Sequence, residues 1–459
     1  MIPVVTPAEM RAIDAAAPEP VEVLIERAGA AVARTAIAMM GGAYGRRAIV
    51  IAGPGNNGAD GRAAGARLER RGVRVRIVGA DVAGGRALPT CDLIIDAAYG
   101  TGFRDGWHPP DVGAVPVLAV DIPSGVDGMT GEATGKVLAA DRTVTFAALK
   151  PGLLFGRGAE LSGKVEIADI GLDVSAVVTQ VMEDSDVAAW LPRRPRAAHK
   201  WMTAVWVVAG SPGMSGAAAL ATRGAQRAGA GYVRQSSPGF EPTTTIAPEA
   251  VGFALPGLGW ADEVIANADR FSSVVVGPGM GREPATMREI CRLVAGCPLP
   301  TVVDGDGLVA LCGEESGVES LPGRVQPATV LTPHDGEFLR LTGAPVGPDR
   351  LAAARRTAIA AGCTVVLKGP TTIVTDATGE ALLVTSGDAR LATAGSGDVL
   401  SGVIAAFLAR GMRPLEAAAS AAHLHGRAAC LGMPQGLVAG DVAEYLPAAL
   451  HVMLAKLRD

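Results

Sequence analysis

A glycine-rich turn that runs directly into an apolar helix marks the segment of greatest chemical interest, residues 391–411. Gly395 and Gly397 let the backbone approach a ligand closely, and the first free amides of a helix that begins near Asp398 attract anions, phosphate above all. A carboxylate in that first turn could accept a hydroxyl proton while the oxygen attacks phosphorus. Asp398 is therefore the predicted base of a phosphoryl transfer, although such a turn taken alone is more often a simple helix cap.

Oxygen-bearing side chains follow three predicted strands in the N-terminal half. Asn57 follows the strand at 47–52, Asp96 ends a later apolar strand, and a third strand is followed by Asp121 and Ser124. Because the carboxyl ends of parallel strands meet at one rim of a sheet, we expect these groups to share a site. A set of hard oxygen ligands without Cys or His favours an alkali or alkaline-earth ion.

The glycines of the first of these segments also have the GxGxxG spacing of a dinucleotide fingerprint. Asp81 stands near the distance expected for a ribose contact, so a hydride-transferring dehydrogenase is an alternative. A dinucleotide fingerprint usually has small or apolar side chains between its glycines, whereas Asn56, Asn57 and Asp60 place three polar groups here. We interpret the segment as a ligand-binding loop, although Asn and Asp also favour turns without any ligand.

Strand and helix patterns that alternate along the chain position both groups of residues. The strand at 47–52, a helix at 62–71 and a strand at 73–78 form a βαβ unit. Short apolar runs of the buried parallel type recur in both halves, and each informative motif of the C-terminal half lies just past the end of such a run. The pattern predicts an α/β protein with ligand sites at the carboxyl ends of its strands.

Length and composition indicate two large domains. The chain has 459 residues, of which 49% are hydrophobic, and its mean hydropathy is +0.30. It is therefore too long for one ordinary core and can fill two or three. A Pro- and charge-rich stretch at 183–198 loses the strand alternation, so we predict that it links a domain at 1–182 to a domain at 199–459.

Charge and cysteine usage argue against several classes of protein. The net charge is −5 and Lys and Arg form no continuous basic block, so nucleic acid is not an expected partner. The six cysteines are scattered without a CxxC pair, which indicates a reducing compartment. An export signal is lacking, and no stretch reaches the ~18 consecutive apolar residues of a membrane span. We expect a cytoplasmic homo-oligomer that does not bind membranes.

Four motifs of the N-terminal half together resemble the epimerase domain of the bifunctional NAD(P)H-hydrate repair enzymes. They are GPGNNGADG at 53–61, DAAYGTG at 96–102, VDIPSG at 120–125 and TFAALKPG at 145–152. The resemblance implies a Rossmann-like three-layer α/β/α domain. It also implies that the following residues line the hydrated nicotinamide nucleotide: Asn56, Asn57, Gly58, Ala59, Asp60, Gly100, Thr101, Gly102, Phe103, Arg104, Asp105, Gly106 and Asp121.

The same resemblance implies a potassium ion held by Asn57, Asp96 and Ser124. We predict in addition that Asp121 abstracts or relays a proton during epimerisation, with Lys150 as its charge partner.

Six motifs of the C-terminal half resemble the ADP/ATP-dependent NAD(P)H-hydrate dehydratases, a branch of the ribokinase-like fold. They are GSPGMSGA at 210–217, GPGMG at 277–281, VVDGDG at 302–307, LTPHDGE at 331–337, VLKGPTT at 366–372 and LATAGSGD at 391–398. The resemblance implies that the hydrate is contacted by Ala217, Gly279, His334 and Asp398. It implies that an adenine nucleotide, ADP or ATP with magnesium, is held by Lys368, Gly369, Pro370, Thr371, Thr372 and Gly397. Glu337 resembles the acid that organises magnesium and phosphate in related kinases.

These assignments predict that the protein repairs hydrated NAD(P)H, and two other functions stay open as alternatives. Hydroxide is a poor leaving group, so phosphorylating the hydroxyl of the hydrate would allow water to be removed as phosphate. Because the dehydratase acts on the S hydrate, an epimerase would recover the R hydrate. The alternatives are a ribokinase-type small-molecule kinase and a nucleotide-binding scaffold without turnover. The scaffold is suggested by residues 199–204, where bulkier side chains replace the glycines usual in this family.

Overall fold

The computed structural model describes residues 1–85, 87–102, 107–133, 135–241, 247–312, 326 and 328–455. Contacts between Cα atoms divide the chain into a first unit, Ile2–Val177, and a second unit, Val178–Asp459 together with Met1. Residues 183–198, predicted from the sequence to be a linker, include a helix, Asp184–Trp190, that belongs to the second unit. No helix among the described residues is long and apolar enough to span a membrane.

The first unit alternates strands and helices. Its elements are β1 (Ile2–Pro3), α1 (Pro7–Ala15), α2 (Val21–Met39), β2 (Arg47–Ala52), α3 (Asn56–Arg70), β3 (Arg74–Gly79), α4 (Ala80–Ala83), β4 (Leu93–Ala97), β5 (Val117–Val120), β6 (Arg142–Phe146), α5 (Gly156–Leu161) and β7 (Lys164–Ala168). Strands β2 to β7 form a parallel sheet in the order β3-β2-β4-β5-β6-β7. This is the predicted Rossmann-like α/β arrangement.

Apolar side chains on both faces of this sheet explain why its central strands are continuous hydrophobic runs. One face packs against α2 and α3, and the other is covered by α4 and by side chains such as Trp107 and Leu138. Helix α3 lies very close to the sheet because a Cβ atom at Gly61 would overlap the Ala97 side chain. The polar segment predicted as a loop is the first part of α3, which begins at Asn56 and not at Arg62.

The second unit is larger and contains the remaining elements. They are β8 (Thr179–Val181), α6 (Asp184–Trp190), β9 (Ala204–Val208), α7 (Ser215–Arg227), β10 (Tyr232–Ser236), β11 (Val251–Gly252), α8 (Trp260–Ala266), β12 (Ser273–Val276), α9 (Pro284–Gly296), β13 (Thr301–Val303), α10 (Asp306–Leu311), β14 (Thr329–Leu331), α11 (Asp335–Thr342), α12 (Arg350–Ala361), β15 (Thr364–Leu367), β16 (Thr372–Thr375), β17 (Ala381–Val384), α13 (Ser396–Ala409), α14 (Pro414–Leu431) and α15 (Ala439–Ala455).

Its strands form one mixed sheet in the order β8-β17-β16-β15-β14-β13-β12-β9-β10-β11. The strands from β15 through β14, β13, β12, β9 and β10 to β11 are parallel, and β16 is antiparallel to both of its neighbours. Helices α7, α13, α14 and α15 cover one face, and α8 to α12 supply the apolar layer on the other. The carboxyl ends of the parallel strands therefore share one rim.

Helix α13 is the central helix of this unit. Every residue from Val399 to Ala409 is buried, which explains why the sequence of this helix is apolar on all sides. It packs against α7 through glycines, because a Cβ atom at Gly402 would overlap the carbonyl oxygen of Ala221. The close packing fixes the N-terminal turn of α13 at the rim of the sheet.

Candidate active sites

A cavity of about 970 Å³ lies at the strand rim of the second unit. Its lining brings together most of the residues predicted for the nucleotide and the hydrate: His334, Lys368, Gly369, Pro370, Thr372, Gly397 and Asp398. The walls are the loops that follow β13, β14 and β15 and the turn that starts α13. Loops that are distant in sequence thus form one site.

Asp398 lies in the first turn of α13, and its environment makes it a proton acceptor near neutral pH. Gly395, the residue before the helix, has φ +88°, a conformation that favours glycine. Burial and the nearby negative charge of Asp304 raise the pKa of Asp398 to about 7, although Lys368 acts in the opposite direction. A base with a pKa close to the operating pH is well suited to general base catalysis.

Lys368 is held at the centre of the site by two carboxylates. Its Nζ atom lies 2.9 Å from Asp304 Oδ1 and 3.5 Å from Glu337 Oε2. Burial lowers the pKa of the lysine, but the two carboxylates more than offset this and hold the pKa above its ordinary value. Lys368 is therefore a permanent positive charge beside Asp398 and next to the predicted phosphate site.

Asp304 is the buried partner of this lysine. Its side chain is buried and accepts hydrogen bonds from the hydroxyl groups of Thr332, at 2.7 Å, and Ser401, at 2.8 Å. Burial alone would raise the pKa of Asp304, but the charge of Lys368 and these donors hold it below its ordinary value. Asp304 thus remains ionised and fixes the position of the Lys368 ammonium group.

His334 caps helix α11 with its ring. The backbone N–H groups of Gly336 and Glu337 donate to His334 Nδ1 at 3.0 and 3.3 Å. Because a backbone N–H can only donate, Nδ1 is an acceptor and the proton of the neutral ring is on Nε2. The His334 side chain is 55% exposed, so it offers its Nε2–H group as a donor to a ligand. Because Nδ1 already accepts from two backbone N–H groups, the ring is poorly suited to act as a base.

Residues 368–372, the segment predicted to hold the nucleotide and called the nucleotide segment below, adjoin the first turn of α13. Gly397 lies in the first turn of α13 directly beside the lysine, since a Cβ atom at this position would be in ordinary contact with Lys368 Nζ at 3.4 Å. Thr371 is buried, whereas Gly369 and Pro370 are exposed at the cavity. An anion bound here would contact both backbone amides and the lysine charge.

Two further residues predicted to contact the hydrate, Ala217 and Gly279, adjoin one another, since a Cβ atom at Gly279 would be 2.9 Å from the Ala217 side chain. Neither belongs to the described lining of the 970 Å³ cavity. Ala217 lies in the first turn of α7, and Gly279 lies on the loop after β12. Gly279 has φ +60° and its carbonyl accepts a hydrogen bond from Ser211 at 2.9 Å.

Two further residues of the cavity, Asp304 and His425, were not predicted from the sequence. Asp304 follows β13 in a quoted motif, and an acid directly after a buried strand could have indicated its role. His425 also lines the cavity, although it lies on α14. Burial, opposed by a hydrogen bond to the backbone of Ser396, lowers the pKa of His425 to about 4. It is a neutral ring at physiological pH, and only the packing of α14 against α13 brings it to the site.

The first unit has its own cavity of about 510 Å³ at the carboxyl ends of its strands. Its lining contains the predicted residues Asn56, Asn57, Asp60, Gly100, Thr101, Gly102 and Asp121. Gly58 and Ala59 lie in the first turns of α3 but not in the described lining. Phe103, Arg104, Asp105 and Gly106 fall outside the described residues.

Asp121 and Lys150 form an ion pair in this cavity. Lys150 Nζ lies 2.7 Å from Asp121 Oδ1, and the lysine side chain is only 1% exposed. Thr145 donates a hydrogen bond to Asp121 and accepts one from Lys150. Asp121 also has φ +67°, a rare backbone conformation for a non-glycine residue that is common at functional sites. The pair predicted from the sequence is therefore in direct contact.

Two further carboxyl groups lie near this pair. Asp60 is buried, and burial together with the negative charges of Asp121 and Asp14 raises the pKa of Asp60 to about 8. Burial also raises the pKa of Asp14, which α1 contributes to the cavity. At neutral pH the cavity thus combines a protonated acid, Asp60, with a second carboxyl group, Asp121, that is paired to a lysine.

Of the three residues predicted to hold potassium, Asn57 offers an unused oxygen ligand among the described residues. Asn57 Oδ1 and Nδ2 are buried without a hydrogen-bond partner among the described residues. Asp96 is fully buried and accepts hydrogen bonds from the Ser124 hydroxyl at 2.6 Å and the Ser124 amide at 2.9 Å. Burial raises the pKa of Asp96 despite these bonds. A monovalent cation would satisfy the Asn57 oxygen and favour the ionised form of Asp96, so these residues fit the ion.

Two family models match the chain. The model described as NAD(P)H-hydrate dehydratase matches residues 205–449. The model described as YjeF-related protein N-terminus matches residues 21–84 and 80–152. Each match lies within one of the two units. The first covers the whole described lining of the 970 Å³ cavity, and the second covers the lining of the 510 Å³ cavity except Met10, Asp14, Glu19 and Ile170.

Relatives that align with most of this chain are named as bifunctional enzymes. The bifunctional NAD(P)H-hydrate repair enzyme Nnr of Moorella thermoacetica is 34% identical, over 97% of this chain and 96% of its own length. The enzyme of the same name from Mycobacterium tuberculosis is 37% identical, over 84% of each chain. Among solved structures, the ADP/ATP-dependent NAD(P)H-hydrate dehydratase of Bacillus subtilis, co-crystallised with ATP/Mg2+, has a TM-score of 0.50 and 27% identity. That likeness covers 60% of this chain and 98% of the other.

Proposed function

Because the chain belongs to the family of bifunctional NAD(P)H-hydrate repair enzymes, we propose that its two units repair hydrated NADH and NADPH. The second unit dehydrates the S hydrate with ADP or ATP, and the first unit interconverts the R and S hydrates. The observation that carries the proposal is the position of Asp398, with a pKa of about 7, in the same cavity as Lys368 and the nucleotide segment.

In the dehydratase step, Asp398 accepts the proton of the C6 hydroxyl group of the hydrate. The oxygen of that hydroxyl group attacks the terminal phosphorus of the nucleotide at the same time. The bond from phosphorus to the bridging oxygen breaks, and its electrons leave with ADP or AMP. Lys368 and the amides at Gly397 stabilise the charge on the transferred phosphoryl group. The lone pair of the ring nitrogen then expels phosphate from C6, and loss of a C5 proton restores NAD(P)H.

The remaining residues of this site orient the two ligands. His334 donates a hydrogen bond from its Nε2–H group to the hydrate, and the backbone of residues 368–372 holds the nucleotide phosphates. Glu337, whose carboxylate lines the cavity 3.5 Å from Lys368 Nζ, is the residue that would hold a magnesium ion bound with the nucleotide. Such an ion would supply positive charge beside the phosphates.

In the epimerase step, the hydrate is a hemiaminal whose ring can open at the bond between C6 and nitrogen. Asp121 takes the proton of the hydroxyl group as the C6 aldehyde forms, and Asp60 donates a proton to the departing nitrogen. Rotation about the C5–C6 bond and closure on the other face give the second epimer. Asn57, Asp96 and Ser124 would hold a potassium ion that supplies positive charge beside the bound nucleotide.

Single-residue variants of the full chain test both halves. Incubation with S hydrate and ADP or ATP should restore the absorbance of NADH, and Asp398→Asn should lower this rate by about 10³-fold. The same variant should keep the epimerisation rate, whereas Asp121→Ala should lose it and keep dehydration of the S hydrate. Wild-type dehydration by Asp398→Asn would show that another group is the base.

The nature of the product separates the proposal from a small-molecule kinase. A repair enzyme releases inorganic phosphate and NAD(P)H, whereas a kinase releases a stable phosphate ester. A phosphate assay on the same reaction decides between them.

We also propose that the protein works in the cytoplasm as a homo-oligomer. The six cysteines are scattered along the sequence without a CxxC pair, which is the usage expected in a reducing compartment. Light scattering of the purified chain would reveal a monomer if the oligomeric state is wrong.

A further inference from the structure

Arg350 joins the two loops that carry the proposed nucleotide and hydrate sites. It is the first residue of α12, and its guanidinium group donates to both oxygens of Asp335 at 2.8 Å. The Nη2 atom also donates to the backbone carbonyl of Lys368 at 3.0 Å. Arg350 itself is not part of the described cavity lining, whereas both of its partners, Asp335 and Lys368, line the cavity.

The contacts on the nucleotide side fix the backbone where the segment begins. The amide of Lys368 donates to the carbonyl of Pro333 at 2.9 Å, and its carbonyl accepts from Arg350. The guanidinium group also packs against the next residue, because a Cβ atom at Gly369 would lie 2.8 Å from Arg350 Nη2. The Arg350 side chain therefore contacts the backbone of the first two residues of the nucleotide segment, Lys368 and Gly369.

The contacts on the hydrate side reach the loop that carries His334. Asp335 directly follows His334 and opens α11. The Arg350 side chain is only 18% exposed, whereas Asp335 is 61% exposed at the cavity. A two-pronged arginine–carboxylate pair has one preferred geometry, and lysine cannot reproduce it. A displacement of either loop is thus transmitted to the other.

We propose that Arg350 is a positioning residue that couples the two ligands, so that a nucleotide bound at residues 368–372 strengthens binding of the hydrate beside His334, and the reverse. The inference rests on the proposed function for the identity of the ligands. Coupling of this kind is reciprocal and is typically 5- to 150-fold (about tenfold is expected here).

Calorimetry of ADP with magnesium tests the coupling in the full chain. The measured quantity is the ratio of ADP dissociation constants without and with S-NADH hydrate, in an Asp398→Asn background that stops turnover. We expect a ratio of about ten for the parent and a ratio near one for Arg350→Met and Arg350→Lys. Arg292→Met is the matched control, because it removes an exposed arginine–aspartate pair in the same unit, Arg292 with Asp262 at 3.0 Å, and should leave the ratio unchanged.

Asp335→Asn tests the same pair from its exposed end and guards against an Arg350 variant that fails to fold. It should also bring the ratio close to one. A parent that binds neither ADP nor ATP would refute the nucleotide assignment itself. A parent ratio of one, or an undiminished ratio in Asp335→Asn, would overturn the coupling role while leaving that assignment intact.

Discussion

Asp398→Asn should make the second unit more stable while it removes dehydration, and the gain should depend on pH. In the folded protein the pKa of Asp398 is about 7 in place of an ordinary 3.8, because burial and Asp304 disfavour its charge. The unfolded chain therefore loses this proton near pH 4, and the folded chain keeps it until about pH 7. Between these values the wild-type free energy of unfolding falls as pH rises, and above pH 7 the loss is complete.

The size of the effect follows from the two pKa values. A separation of about three pH units corresponds to about 4 kcal/mol. Because the Asp398 side chain is partly exposed, we expect about 2 kcal/mol of this to be measured. Asparagine does not ionise, so Asp398→Asn should match the wild type at pH 4 and exceed it by that amount at pH 8.

Urea unfolding followed by tryptophan fluorescence is the appropriate assay. The second unit contains four of the five tryptophans, Trp190, Trp201, Trp206 and Trp260, so the signal reports mainly on that unit. The control is Asp388→Asn in the same cavity. Hydrogen bonds from Arg390 lower the pKa of Asp388 to about 2, so this variant should lose stability above pH 4. A gain for Asp398→Asn that is equal at pH 4 and pH 8 would refute the reasoning.

Three other variants probe features of both units. Lys150→Met leaves Asp121 without its cation, so epimerisation should fall about 100-fold, as a rate assay would show; unchanged turnover would exclude the ion pair from catalysis. Gly402→Ala places a methyl group against the Ala221 carbonyl and should destabilise the second unit by about 3 kcal/mol in urea; a neutral effect would mean that α7 and α13 separate easily. Potassium chloride should raise the melting temperature of the wild type over that in sodium chloride but not that of Asn57→Leu; equal responses would argue against the ion site.

Local sequence patterns predicted much of the fold because they act over a few residues. The run at 47–52 is continuous and apolar, and β2 has the same bounds. Thr6 and Glu9 have the sequence spacing of a capping box, and both hydrogen bonds of that motif are present at the start of α1. The start of α3 was placed too late, because glycine and asparagine have low helix propensity. In the structure Gly61 of this helix packs against the Ala97 side chain of β4, and this tertiary contact overrides the local preference.

The parts of the sites that were not foreseen depend on contacts between distant segments. Asp304 interacts with Lys368 across 64 positions of sequence, and Asp14 reaches the first cavity from a helix that precedes the sheet. Arg350 lies in a stretch whose composition indicates only an Ala-rich helix. No local spacing links such residues, since the order of strands in the sheet decides which loops become neighbours.

The burial of α13 has a consequence for inactivation by heat. Asp398 and the glycine amides belong to a helix whose next turns form the interior of the second unit, so this end cannot fray while that interior stays packed. Dehydration should therefore persist up to the temperature at which the whole unit melts, with no earlier phase in which activity fades and the tryptophan signal remains native.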